Sequence, residues 1–431
     1  MQSVVIDEAY EFVPPYRGTW WARSLQLIMP RWLRKSYGIE SIECQGLEHI
    51  QESLKAGHGI LLAPNHCRPA DPSVINEICH RVGLAPHTMA SWHLFKQSWL
   101  QRFILRRMGA FSVYREGMDR QALQAGIDIL TEARRPLVIF PEGVITRTND
   151  RLLALMDGVS FIARSAAKKR ATLNPPGKVV VHAVGIRYHF HGDIDEAIHQ
   201  TLDDIEKALS WRPRRDPDRT QRIYRVGEAL LWLKEIEYIG APQTGSIPER
   251  VENLINQILT PIEKEWLNGK NEGTIVNRVK QLRSEILRDM ITEDLPEEER
   301  ERRWNQLADM YIAQQLGHYP PTYVKSDPSK ERQLETVEKF EEDLTDISRI
   351  HHPMSATVQI GPAIPVATKR DRKATEDPVM AAIERQLHQL LELPFASNTD
   401  NDSSANPNPE DSSANPSAGD SSANPSAGNK A

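Results

Sequence analysis

Five short apolar runs, at residues 58–63, 86–90, 110–114, 137–140 and 179–186, alternate with stretches of helical apolar spacing at 73–82, 97–108, 119–134 and 158–169. Runs of this length are strands, and strands joined through helices pair in parallel, with the helices covering the faces of the sheet. The pattern predicts an α/β fold: a βα-alternating, mostly parallel sheet flanked by helices. In such sheets ligands collect beyond the carboxyl ends of the strands, so the residues that follow each run are where chemistry is expected.

The run Gly59-Ile60-Leu61-Leu62-Ala63 leads into Asn65-His66-Cys67-Arg68-Pro69-Ala70-Asp71. A neutral imidazole takes a proton from a hydroxyl near pH 7, and a carboxylate on its other nitrogen fixes the tautomer and stabilises the imidazolium. His66 and Asp71 are therefore a candidate base for acyl transfer. The plainer alternative is a strand-end histidine followed by a helix-capping aspartate. Three further blocks come in order: Gly109-Ala110-Phe111-Ser112-Val113-Tyr114-Arg115, then Val138-Ile139-Phe140-Pro141-Glu142-Gly143-Val144-Ile145-Thr146-Arg147, then Val179 to Ile186. A thioester donor is already activated, so acyl transfer from one needs a base, oxyanion donors and cations for a phosphate, but no protein nucleophile. Arginine suits phosphate through its planar fork and permanent charge. Arg115 and Arg147 are the candidates, with Arg68 a third, against the alternative of solvated surface charge. Glu142 follows an apolar run and should lie in a strand-to-helix loop, where an acid also favours a helix N-terminus; Gly143 lets the backbone approach a ligand closely.

In this order the blocks resemble the glycerolipid acyltransferase family, the 1-acyl-glycerol-3-phosphate (lysophosphatidic acid) acyltransferases and their relatives, over residues 40–190 and again at 355–395. The resemblance implies that His66 is the general base and Asp71 its partner, that Glu142 and Gly143 belong to the acceptor site, and that Arg115 holds an anionic headgroup, with Arg147 a further substrate-binding cation. It implies an O-acyltransferase of phospholipid biosynthesis or remodelling. Such an enzyme moves a fatty acyl group from acyl-CoA or acyl carrier protein to the hydroxyl of a glycerophosphate or lysophospholipid, with no cofactor beyond that co-substrate. Val144 and Ile145 separate Glu-Gly from Thr146-Arg147, and Ala183 stands where the fourth block commonly has proline. Two other readings are a non-catalytic lipid-binding scaffold on this core and an acyl hydrolase.

Net charge is −6, yet residues 101–190 hold 15 Lys or Arg against 7 Asp or Glu. That local field suits acidic substrates or anionic lipid; no nucleic-acid-binding pattern accompanies it, and none is expected as a partner. Lys168-Lys169-Arg170 reads as the solvated end of a helix. Three cysteines, Cys44, Cys67 and Cys79, lack metal spacing and suggest a reducing compartment, with Cys67 a small buried spacer rather than a nucleophile. His66, His182 and Asp71 are a conceivable zinc set without a supporting pattern, and no metal is expected. No apolar run reaches the length of a bilayer span, and no signal peptide is read at the start. Residues 12–39 contain Phe12, Tyr16, Trp20, Trp21, Trp32 and Tyr37 with five basic residues and no acid. This composition suits either packing on the core or a membrane interface, and the resemblance favours the second: a cytoplasmic protein associated peripherally with membrane.

The chain then divides into an N-terminal aromatic and basic helical segment (1–57), the core (58–190), an insertion (191–354), the last strand and helix of the core (355–395) and a tail (396–431). Ser246-Ile247-Pro248-Glu249 is a capping box, and Val251, Leu254, Ile255, Ile258, Leu259, Ile262 and Trp266 recur at helical spacing after it. Residues 275–290 repeat that pattern, and helices are expected at 195–210, 218–238, 297–316 and 331–350. The insertion is thus expected to be all-α, its stripes packing on one another, and to serve as a lid, a platform for a protein partner or a contact with a second copy. The tail repeats a nine-residue unit, Asp402–Glu410, Asp411–Gly419 and Asp420–Gly428, too polar to bury a core, and is expected to be disordered.

Overall fold

A computed structural model of the chain describes residues 8–115, 119–215, 218–292, 295–345, 347, 349–369 and 376–393; the repeat tail lies outside them. The strands are β1 (Ile39–Gln45), β2 (Gly59–Pro64), β3 (His87–Ser91), β4 (Ala110–Val113), β5 (Leu137–Val138), β6 (Val179–Phe190), β7 (Met354–Ile360) and β8 (Ile364–Pro365). They form one sheet in the order β1-β7-β6-β2-β5-β3-β4, with β8 also on β6. Pairing is parallel from β6 through β4, whereas β7 and β8 run antiparallel to β6. The single last strand expected near 357–366 is two, because Gly361-Pro362 breaks the ladder between them; the Gly361 amide still reaches the Ala183 carbonyl at 2.9 Å.

The central strands are buried on both faces, as parallel strands under helices must be. Ile60, Leu62, Val180, Val184, Ile186 and Tyr188 face one core cluster; Leu61, Ala63, Val179, Val181 and Ala183 alternate into another. The second face is covered by α6 (Arg120–Glu132), α7 (Gly158–Arg170) and α15 (Pro378–Leu390), the first by α2 (Met29–Tyr37) and α4 (Asp71–Arg81). At the far edge α5 (Trp99–Met108) follows β3 and packs on α1 (Trp20–Gln26).

Residues 39–45 pair with β7 as an edge strand, and α3 (Leu47–Lys55) follows, where the sequence suggested a helical N-terminal segment. Only Ile39 is fully buried there, so the apolar signature of a central strand is missing. The expected solvated end of α7 is also different at its last residue. Arg170 is buried and donates to the carbonyls of Lys178, Thr131 and Gly57 at 2.9, 2.7 and 2.5 Å, because two loops and the last turn of α6 converge on that helix end.

Between β6 and β7 lie α8 (Ile194–Ala208), α9 (Arg219–Ile239), α10 (Ile247–Trp266), α11 (Ile275–Thr292), α12 (Glu297–His318), α13 (Tyr323–Ser326) and α14 (Lys330–Thr345). They do not pack only on one another. Ile198, Leu202, Ile223, Val226, Leu334 and Val337, from α8, α9 and α14, join the core on the first sheet face, while α10, α11 and α12 share a separate core through Leu254, Leu259, Leu282, Ile286 and Met310.

A period of twenty-eight residues runs through α9 to α11. The helix-capping Asp218, Ser246 and Thr274 recur at it, as do Arg222, Arg250 and Arg278. Each arginine grips a glutamate of the preceding helix with two parallel bonds: Arg222 on Glu206 (3.1 and 2.9 Å), Arg250 on Glu235 (2.8 and 2.8 Å) and Arg278 on Glu263 (2.7 and 3.0 Å). Bidentate pairing of this kind satisfies both buried charges and fixes how successive helices meet.

Candidate active site

β2 stops opposite Val184, but β6 continues to Phe190, so Ile186 and Tyr188 would present unpaired backbone groups on that edge. Two asparagine side chains take the place of the missing strand. Asn65 accepts from the Ile186 amide (2.7 Å) and donates to its carbonyl (3.0 Å); Asn149 does the same at Tyr188 (2.9 and 2.8 Å). The loops after β2 and after β5 are thereby strapped to β6, on either side of His66.

The His66 backbone joins the same two loops, its amide donating to Glu142 Oε1 (2.7 Å) and its carbonyl accepting from Thr146 (2.8 Å). Its ring stacks on Phe140, centroids 4.1 Å apart, and Nδ1 lies 2.8 Å from Asp71 Oδ2. Asp71 opens α4 and is fully buried. Oδ2 also accepts from the Arg68 amide (2.9 Å), and Oδ1 accepts from the Tyr188 hydroxyl (2.6 Å). An ionised carboxylate only accepts, so in the neutral imidazole the ring proton sits on Nδ1 and the lone pair on Nε2. The pair can take up a proton at Nε2 and stabilise the resulting charge.

Glu142 is buried, and both of its oxygens are taken by backbone: the His66 amide and, at 2.8 Å, the Leu153 amide. Burial pushes its carboxyl up to about 8, against those two donors. Gly143 beside it has φ +70°, and a Cβ there would meet Met156 Sδ at 2.5 Å, so only glycine fits this turn without displacing the methionine. Glu142 and Gly143 thus shape the loop against which His66 is held.

Arg115 follows β4, three strands along the sheet from β2, and lines the same cavity as His66. Arg147 has φ +61° and pairs with Glu342 of α14. Arg68 is committed to the helices between β6 and β7: it pairs with Glu338 at 3.1 Å and Glu335 at 3.9 Å, over the rings of Tyr188 and Phe190. The Cys67 thiol is buried and pushed well up, first by desolvation and then by Asp71, which suits a spacer and not a nucleophile. His182 makes its contacts elsewhere, with Ser53 Oγ (3.0 Å) and the Gly361 carbonyl (2.8 Å).

The cavity measures about 1930 Å³ and runs from α1 and α2, past His66 and Arg68, under α5 and out to α9, α11, α12 and α14. Leu25, Ile28, Trp32, Leu100, Ile104 and Leu105 give it an apolar wall on the α1–α5 side, and polar groups collect beyond His66. A large apolar chamber with a few convergent polar groups is the shape of a ligand site.

Residues 41–187, from β1 into β6, match the family model described as Acyltransferase. Residues 41–187 carry an acyltransferase domain. The blocks around His66, Arg115 and Glu142 all fall within the matched segment, and the domain supports acyltransferase activity on an acyl donor and a lipid acceptor in general. No curated protein matches this acyltransferase. Tyr188, Asn65 and Asn149 were not legible as site residues beforehand. Each acts across more than thirty positions of sequence, and a tyrosine late in a strand carries no local sign of the carboxylate it serves.

Proposed function

We propose that this acyltransferase moves a fatty acyl group from a thioester, on coenzyme A or acyl carrier protein, to the hydroxyl of a glycerophosphate or lysophospholipid. The observation that carries the reading is the His66–Asp71 pair, oriented by Phe140 and Tyr188, on the wall of a half-apolar cavity. In this reading His66 Nε2 removes the proton from the acceptor hydroxyl as its oxygen attacks the thioester carbonyl carbon, and Asp71 steadies the imidazolium. The tetrahedral intermediate then expels the thiolate, which leaves as the thiol with the proton from Nε2. Arg115 meets the anionic headgroup, Arg147 is a second cation on that side, and Glu142 and Gly143 hold the acceptor loop.

In this reading the reaction runs at the cytoplasmic surface of a membrane. No helix among the described residues is long and apolar enough to cross one. Around the apolar wall, however, Trp99 is 79% exposed, Leu27 73% and Trp20 66%, beside Arg23, Arg31 and Arg34. Exposed tryptophan among cations suits the headgroup region, from which a chain enters along Ile28, Trp32 and Leu100.

The test is an incubation of the full chain with labelled acyl-CoA or acyl carrier protein, with and without lysophosphatidate in anionic vesicles. Acceptor-dependent diacyl product is expected. Acceptor-independent release of fatty acid would make the protein a hydrolase, and no turnover with either donor would remove the catalytic reading.

A further inference from the structure

The twenty-eight-residue period of α9 to α11 places a buried cation where a neighbouring helix has an apolar core residue. The position occupied by Gly227 in α9 and by the buried Ile255 in α10 is Arg283 in α11, a buried arginine on the wall of the cavity. Burying a cation there costs desolvation that an isoleucine would not, and its place on the cavity wall puts the charge where a ligand can meet it.

Two further groups from neighbouring helices line the same part of the cavity. His318 ends α12; it is buried, its carbonyl is held by Arg151 at 2.7 Å, and its Nε2 has no hydrogen-bond partner among the described residues. Lys339 of α14 is buried, with both oxygens of Asp343 at 2.5 Å from its ammonium, which leaves one of its three donors for another acceptor. Burial and then the charges of Arg151, Arg115, Lys339 and Arg283 press His318 down to about 4, so four cations surround one neutral ring. The acids on this side are Asp343 on Lys339, Glu342 on Arg147, Glu335 and Glu338 on Arg68, and the buried Glu142.

We propose that Arg283, His318 and Lys339 form an anion subsite facing Arg115, and that it takes a phosphate group of a substrate. The proposal rests on the reading of this cavity as the acyl-transfer site, and it gives the helices between β6 and β7 a share in substrate recognition. Two substrate phosphates have the required chemistry, that of a phosphorylated acceptor and those of coenzyme A.

Calorimetric titration separates them without any turnover, so its outcome is independent of whether the acyl product is found. Glycerol 3-phosphate and coenzyme A are titrated separately into the full-length wild type, Lys339→Met, Arg283→Met and Asp343→Asn. Loss of one charged contact should weaken the cognate probe roughly tenfold in each Met variant, and Asp343→Asn, which releases Lys339, should tighten it. Weakened glycerol 3-phosphate assigns the subsite to the acceptor; weakened coenzyme A assigns it to the donor. Arg283→Lys should restore part of what Arg283→Met loses, and if Arg283→Met does not fold, the Lys339 and Asp343 variants decide. Folded variants that bind both probes like wild type, or a wild type that binds neither, overturn the proposal.

Discussion

Two glutamates nearly sealed from water behave in opposite ways. In the helices between β6 and β7, Glu235 is opposed by burial, but Arg250 and the Gln243 amide more than offset this and hold its carboxyl below the usual range. In the loop after β5, Glu142 is more deeply enclosed, is opposed chiefly by two amides of the chain with Arg151 adding less, and rises to about 8. The first arrangement is charge against charge, and its product is a fixed angle between helices. The second leaves an acid poised near neutrality two residues from the phenylalanine under His66. Buried charge that is fully paired holds the fold; buried charge held by neutral donors is available to a reaction.

The hardest blow to this contrast falls on the crevice. His66→Ala is expected to lower kcat by about a thousandfold, the usual worth of a positioned base, with an unchanged melting temperature, because the ring is a partly exposed wall and not a packed centre. A wild-type rate would strip His66 of its role. Next, Glu235→Gln should cost about 3 kcal/mol in denaturant unfolding, since Arg250 keeps its charge in a buried position, while kcat of the folded fraction stays near wild type. Equal loss of activity and stability would blur the distinction between the two regions.

Stability against pH sharpens it further. Glu142 holds its proton longer folded than unfolded, so its protonated form stabilises the fold at low pH, and that contribution is lost as pH rises from its ordinary value to about 8. Glu142→Gln should flatten the fall in stability between pH 5 and 8 by on the order of 2 kcal/mol. Glu235, held low, contributes in the other sense: its share is present above its ordinary value and lost on acidification, so Glu235→Gln should flatten the acid side instead. The smallest effect is Tyr188→Phe, expected to lower kcat about fivefold with KM unchanged, because one neutral donor leaves Asp71.

The core strands were legible because parallel strands buried on both faces become apolar runs; β2 and β6 fall where Gly59 to Ala63 and Val179 to Ile186 announce them. The His66–Asp71 contact was legible too, since five residues span one turn into α4. β1 was not: an edge strand with one buried residue leaves too faint an alternation. The pairing of Arg68 with Glu338, of Arg147 with Glu342 and of Tyr188 with Asp71 could not be read, since each joins residues whose separation in sequence says nothing of distance in space. The twenty-eight-residue period was present in the letters, but its meaning lies in which carboxylate each arginine meets.

The strands that flank the helical segment are immediate neighbours, Phe190 against Met354. Topologically α8 to α14 are therefore an overgrown hairpin turn, and because the entropy of closing a loop rises only with the logarithm of its length, the sheet tolerates such growth at small cost. The delay falls on kinetics: β7, and β1 which pairs with it, wait for a distant part of the chain to return, so this edge of the sheet should be the last to zip during refolding.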